Sequence, residues 1–222
     1  MISLDSHRAA LKDRVSVIRN IIDETHPTPP ATGRIAREAR GMAVVLLFAA
    51  YEELLTSLNR SLLEVAAGLR VGNRRLQPGF RAFALHNVAS SLSSGSQKKL
   101  FTAALPNLVE FASRGEPGPT INPDVFPNDG SFMRRSQVTL WCSLFSAGDP
   151  APILRNIWQQ IDTVVTQRNG IAHGRLTPQE VGRSYSEAEM RALVDDWDSD
   201  WARFLDHIEQ LAVARDFYRL PR

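Results

Sequence analysis

Apolar residues recur along the chain at three- and four-residue steps, and no stretch keeps the strict alternation of a half-buried strand. Leu4, Leu11, Val15, Ile18 and Ile22 fall on one face of a first helix, which the breakers of "HPTPP" at residues 26–30 bring to an end. From about residue 35 to residue 69 a long second helix runs through "MAVVLLFAAYEELLTSLNRSLLEVAAGL". It is apolar on nearly every side at first and amphipathic later, which is the pattern of a central core helix. The loop "RVGNRRLQPG" follows, and then shorter helices over residues 80–92 and 97–112. Residues 114–130, "RGEPGPTINPDVFPNDG", hold too many breakers for a regular element and read as an irregular insertion.

Beyond the insertion, Val138, Trp141, Leu144 and Phe145 predict a short helix ended by "AGDP". A further helix is expected from Pro152, with Ile153, Leu154, Ile157, Trp158, Ile161, Val164 and Val165 on its buried side. The final helix is announced by Ser186 and Glu189, a capping box, and continues through Met190, Leu193, Val194, Trp197, Trp201, Phe204, Leu205, Ile208 and Leu211. The four Trp fall within these periodic faces and read as core rather than as stacking platforms. Together the pattern predicts an all-α helical bundle with long core helices. Its 222 residues suit one domain over residues 1–222, since a chain of this length supports one substantial core.

Composition narrows the chemistry more than the fold. The single Cys142 excludes an internal disulfide and a Cys-based zinc site, and five scattered His offer no ligand spacing, so neither metal nor cofactor is expected. The start of the chain lacks the pattern of a leader, and the longest apolar run, "MAVVLLFAAY", is too short to span a bilayer; the expectation is a soluble cytoplasmic protein with no membrane partner. Net charge is only +2, yet the 26 basic residues divide into 23 Arg and 3 Lys. Arg presents a planar fork of donors suited to phosphate, although codon bias in a GC-rich genome yields the same excess. Glycine-rich phosphate loops, His-Glu-x-x-His and nucleophile-elbow Ser motifs are all missing from the sequence.

One segment stands apart. "VVTQRNGIAHGRL", residues 164–176, places Arg168, Asn169 and His173 around Gly170 directly after an apolar run. The plain explanation is a helix end with polar residues in its last turn. The alternative is phosphate chemistry. A base can take the proton from an RNA 2′-hydroxyl, which attacks the adjacent phosphorus and leaves a 2′,3′-cyclic phosphate without any metal. His has the pKa for that task, and Arg can hold the phosphate oxygens bidentately. The spacing alone is weak: Arg81 and His86 in "RAFALH" repeat it inside an ordinary amphipathic segment and serve as a decoy.

The segment "IDTVVTQRNGIAHGRL" resembles the signature helix of the HEPN superfamily, all-α ribonucleases and nucleotide-binding domains whose motif is an Arg followed four to six residues later by a His. "VVLLFAAYEELLTSLNRSLLE" is similar to the long helix bearing an acidic residue in the RiboL-PSP-HEPN-like branch, and "LWCSLFSAGDP" to the stretch before the motif helix. The resemblance implies a ribonuclease of a toxin or phage-defence system, with RNA as substrate, a homodimer through the motif helices and an antitoxin as a further partner. It also implies Arg168 and His173 as catalytic residues. Family members paired with a nucleotidyltransferase antitoxin often carry a Tyr two residues after the His; this chain has Arg175 instead, taken as a substrate contact. A non-catalytic nucleotide-binding, RNA-binding or dimerising module of the same superfamily is the second expectation, and a helical protein-binding adaptor the third.

Geometry adds a constraint. Residues five apart on an ideal helix point roughly 140° from one another, so Arg168 and His173 do not easily converge on one phosphate. Either Gly170 distorts the helix, or two copies face each other and each contributes. Asn169 lies four residues before His173 and is expected to orient its imidazole. Glu52 and Glu53 interrupt the core helix, and Glu52 is chosen as the carboxylate supporting Arg168.

Overall fold

The computed structural model describes residues 2–26, 33–90, 92, 96–113 and 121–221. The chain is all-α: α1 (Asp5–Thr25), α2 (Arg34–Gly68), α3 (Pro78–Ser90), α4 (Gln97–Lys99), which passes through a wide turn into α5 (Leu105–Ser113), α6 (Arg135–Leu144), α7 (Trp158–Ala172), α8 (Pro178–Arg183) and α9 (Glu187–Ala212). Among the described residues no strand forms, only an isolated bridge between Leu76 and Arg219. Residues 121–130 are irregular, as their breakers require, while residues 27–30 of the Pro-rich turn, residues 91 and 93–95, and residues 114–120 of the insertion lie outside the described residues.

The core is built around α2. Leu47, Phe48, Tyr51, Leu55, Leu58 and Leu62 are buried along it, and from α9 Trp197, Trp201 and Phe204 meet them. The Tyr51 ring stacks on Trp201 with centroids 4.9 Å apart. Trp141 packs against Phe145 at 4.6 Å, so three of the four Trp are core residues and only Trp158 is half-buried. Cys142 is enclosed here too, and burial pushes its thiol up to about 12. α1 and α9 run antiparallel, joined by Arg8 to Asp206 and Glu209, by Arg19 to Asp195 and Asp198, and by Arg191 to Asp23. By length and composition α2 as a whole is long and apolar enough to cross a membrane, although its longest unbroken apolar run is short. An 18-residue window of it has mean hydropathy 1.5, and 56% of that window is buried inside the protein, as for a core helix.

Two elements depart from the sequence pattern. The helix expected from Pro152 starts at Trp158, after successive turns over residues 151–157. The reason lies on α9: buried Asp200 accepts from the backbone N–H of Asn156 at 2.9 Å and of Ile157 at 3.2 Å, capping α7 at that point. The second departure is α8, which periodicity did not indicate. Its start is a capping box in which Thr177 Oγ1 accepts from Glu180 N at 3.2 Å and Thr177 N donates to Glu180 at 2.7 Å, with Pro178 in the first turn.

α8 lies against α2 with their backbones touching. A Cβ on Gly41 would stand 1.9 Å from the carbonyl oxygen of Pro178, and one on Gly182 would stand 1.8 Å from that of Arg37. Only glycine fits at either position. Buried Arg40 completes the junction, donating Nε–H to the Gly182 carbonyl at 3.0 Å and another N–H to His26 Nε2 at 2.8 Å. This clamp fixes the segment between α7 and α8, which carries the motif.

Candidate active site

α7 ends inside the motif. His173 is its C-cap and Gly174 follows with φ +68°, the left-handed conformation that glycine adopts without penalty. Gly174 N–H donates to the Ile171 carbonyl at 3.0 Å and Arg175 N–H to the Gly170 carbonyl at 2.8 Å, the paired bonds of a Schellman motif. The plain explanation of the segment is therefore correct for its backbone. Gly170 does not distort the helix, contrary to one expectation; it is buried within regular α7 because Leu176 folds back over it. A Cβ there would lie 2.7 Å from Leu176 Cδ1.

The Arg168 guanidinium is half-buried and lies over the Phe48 ring of α2, 4.3 Å from its centroid, with Phe132 at 5.8 Å. Contacts of this kind are worth roughly 0.5–1 kcal/mol at partly exposed sites. Its Nη1 donates to Asn169 Oδ1 at 3.0 Å. Phe132 arrives on a strained turn, since Phe132 (φ 43°) and Met133 (φ 62°) are consecutive non-glycine residues in the left-handed region. Two buried side chains hold that turn: the Tyr51 hydroxyl donates to the Met133 carbonyl at 2.7 Å, and Gln137 Oε1 accepts from Met133 N–H at 2.7 Å. Burial, more than any neighbouring charge, pushes the Tyr51 phenol well above its ordinary value, so it remains a donor.

Further cations line the same helix. Arg134 donates to Thr166 Oγ1 of α7 at 3.1 Å, and Arg135 is tied to Asp162 through its backbone N–H (2.9 Å) and its Nε (2.8 Å). Arg135 is thus neutralised, whereas Arg134, Arg168 and Arg175 form no ion pair with any described residue.

The predicted site residues are brought together only in part. Arg168, Asn169, His173 and Arg175 share one end of α7, and His173 through Leu176 are all exposed. Asn169 turns its oxygen to Arg168 instead of to the His173 ring, so its role is to hold the guanidinium. Glu52 is half-buried and Glu53 exposed, and neither pairs with Arg168. The expected carboxylate support is corrected: Phe48, one turn before Glu52 on α2, takes the guanidinium by its ring face. At the decoy spacing, Arg81 donates to the carbonyls of Arg74 (2.8 Å) and Leu76 (3.0 Å) and closes a turn, and His86 is exposed, as His173 is. Phe48, Phe132 and Arg134 were missed from sequence. Among the described residues no group of three or more His, Cys, Asp or Glu side chains is assembled as a metal site.

The chain matches no family model, and neither a curated protein nor a solved structure matches it.

Proposed function

We propose that the protein is a metal-independent endoribonuclease of the HEPN type, acting in the cytoplasm as a toxin or phage-defence effector. His173 is the base that takes the proton from a 2′-hydroxyl. The freed oxygen attacks phosphorus, the P–O5′ bond breaks, and the displaced oxygen leaves with a proton. Arg168 holds the phosphate oxygens and offsets the charge that grows on them. Arg134 and Arg175 add attraction for the backbone.

The observation that carries this reading is an unpaired guanidinium and an exposed imidazole, five residues apart at one open end of α7. Five residues apart on a helix they point roughly 140° from one another, which favours a composite site in a symmetric homodimer over one formed within a single chain. The same separation is what would favour the second reading, a non-catalytic RNA-binding or dimerising module.

Incubation of the purified protein with single-stranded RNA in excess chelator decides between them. Cleavage leaving 2′,3′-cyclic phosphate ends is expected. His173→Ala should lower the rate at least about a hundredfold, the typical loss for a general acid or base. Arg168→Ala should do the same while circular dichroism stays unchanged, and His86→Ala should leave the rate intact. Activity abolished by chelator, or an equal loss from His86→Ala, would refute the proposal.

A further inference from the structure

Phe132 is exposed by 42% although its ring lies on the buried core residue Phe48, with centroids 5.8 Å apart and planes tilted by 31°. Phe48 and the Arg168 guanidinium cover part of the ring, and the rest is open to solvent. Phe132 gives Phe48, only 1% exposed, part of its apolar cover, a task that any apolar side chain would serve. Yet the backbone carrying it is held left-handed at two successive non-glycine residues, an arrangement that persists only where the surroundings enforce it. Tyr51 and Gln137 do so from the core, fixing the Met133 carbonyl and N–H. The result is a half-open aromatic surface at the Arg168 guanidinium, 5.8 Å away, with Arg134, at the start of α6, bonded to Thr166 of α7. An exposed ring beside an unpaired cation on a fixed frame matches the chemistry of a nucleotide, whose flat base stacks on aromatics and whose phosphate pairs with Arg.

We propose that Phe132 is a stacking platform for one base of single-stranded RNA, with the adjoining phosphate held on Arg168. This rests on the reading of the α7 end as an RNA-cleaving surface and assigns it the side chain that grips the base. Stacking is sequence-tolerant, so the platform accepts any base and selects single strands over duplex, whose bases are already stacked.

Affinity of a fluorescently labelled single-stranded oligoribonucleotide, measured by anisotropy in the His173→Ala protein so that no cleavage intervenes, tests the assignment. Phe132→Leu keeps apolar cover on Phe48 but has no ring, and should weaken binding by about five- to a hundredfold, the span found for single stacked bases. Phe132→Trp should restore it. The salt dependence separates stacking from positioning. Phe132→Leu should leave the slope of log affinity against log salt unchanged, whereas Arg168→Ala should flatten it by about one contact.

If Phe132→Leu flattens the slope as Arg168→Ala does, the ring only positions the guanidinium and the platform is wrong. If Phe132→Leu binds as tightly as its parent while Arg168→Ala does not, the platform is wrong and the RNA surface stands; a shift in sedimentation in that case makes the ring part of a contact between copies. If the parent binds no RNA at all, both proposals fall.

Discussion

Ser146 and Gly174 occupy the same position at the ends of α6 and α7. Ser146 has φ 53°, with its N–H on the Ser143 carbonyl at 3.2 Å and the next N–H, from Ala147, on Cys142 at 2.8 Å. A side chain in this conformation costs roughly 1–2 kcal/mol, partly offset by the freedom glycine loses on folding. Ser146→Gly is therefore expected to stabilise the protein by about 0.5–1 kcal/mol and raise its melting temperature by a few degrees. Gly174→Ala should lower stability by about 1 kcal/mol, with no clash involved, because nothing lies within 4 Å of the added Cβ. Thermal melts of the two variants check both signs, and a neutral Gly174→Ala would show that this cap does not hold the loop. At the scale of single residues the sequence revealed which groups share a helix end, since Arg168, Asn169 and His173 are neighbours along the chain. Their partners were hidden. Phe48 stands in a run where every residue is apolar, and Phe132 stands among breakers where periodicity carries no signal.

Elements were legible where their ends are local. Ser186 with Glu189 marked the start of α9 correctly, whereas the start of α7 was displaced because its cap, Asp200, comes from another helix. α8 is six residues long, too short for a periodic signal, although "TPQE" spells the same capping pattern as "SEAE". The two boxes give a pH dependence. Hydrogen bonds from the backbone N–H of Thr177 and of Ser186 hold the carboxyls of Glu180 and Glu189 below their ordinary value of 4.5. A lowered folded-state value means stability present above the unfolded value and lost as pH falls through the folded one. The melting temperature should accordingly decline between about pH 5 and pH 3, through the range where carboxyls titrate. Glu180→Gln with Glu189→Gln should make that decline shallower, since Gln keeps the reciprocal bonds but does not titrate. An unaltered pH profile in the double variant would show that the boxes contribute nothing to acid stability.

For the molecule as a whole, helical periodicity was enough to read the all-α architecture and α2 at its centre, because burial sets the pattern of every long helix. Association leaves no such mark, since an apolar side chain facing a second copy looks in sequence like one facing the core. Three exposed apolar residues bear on it: Ile35 and Met42 on α2, exposed by 71% and 40%, and Leu176 beside His173, exposed by 38%. The proposed composite site needs an apolar contact between copies, and these side chains are available for it. Sedimentation at micromolar concentration is expected to give a dimer, with Met42→Glu shifting it to monomer and removing cleavage without lowering the melting temperature. A fully active monomer would eliminate the composite site.

The glycine contact between α2 and α8 also governs how the motif moves. A helix of six residues does not persist alone in water, so α8 exists only while it rests on α2. Four residues, Gly174 to Thr177, join it to His173, and they are pinned at one end by Gly170 and at the other by Gly41. Opening them requires α8 to lift off the core helix, so the loop that follows the imidazole is held by a backbone contact at the centre of the protein and not by its own bonds alone.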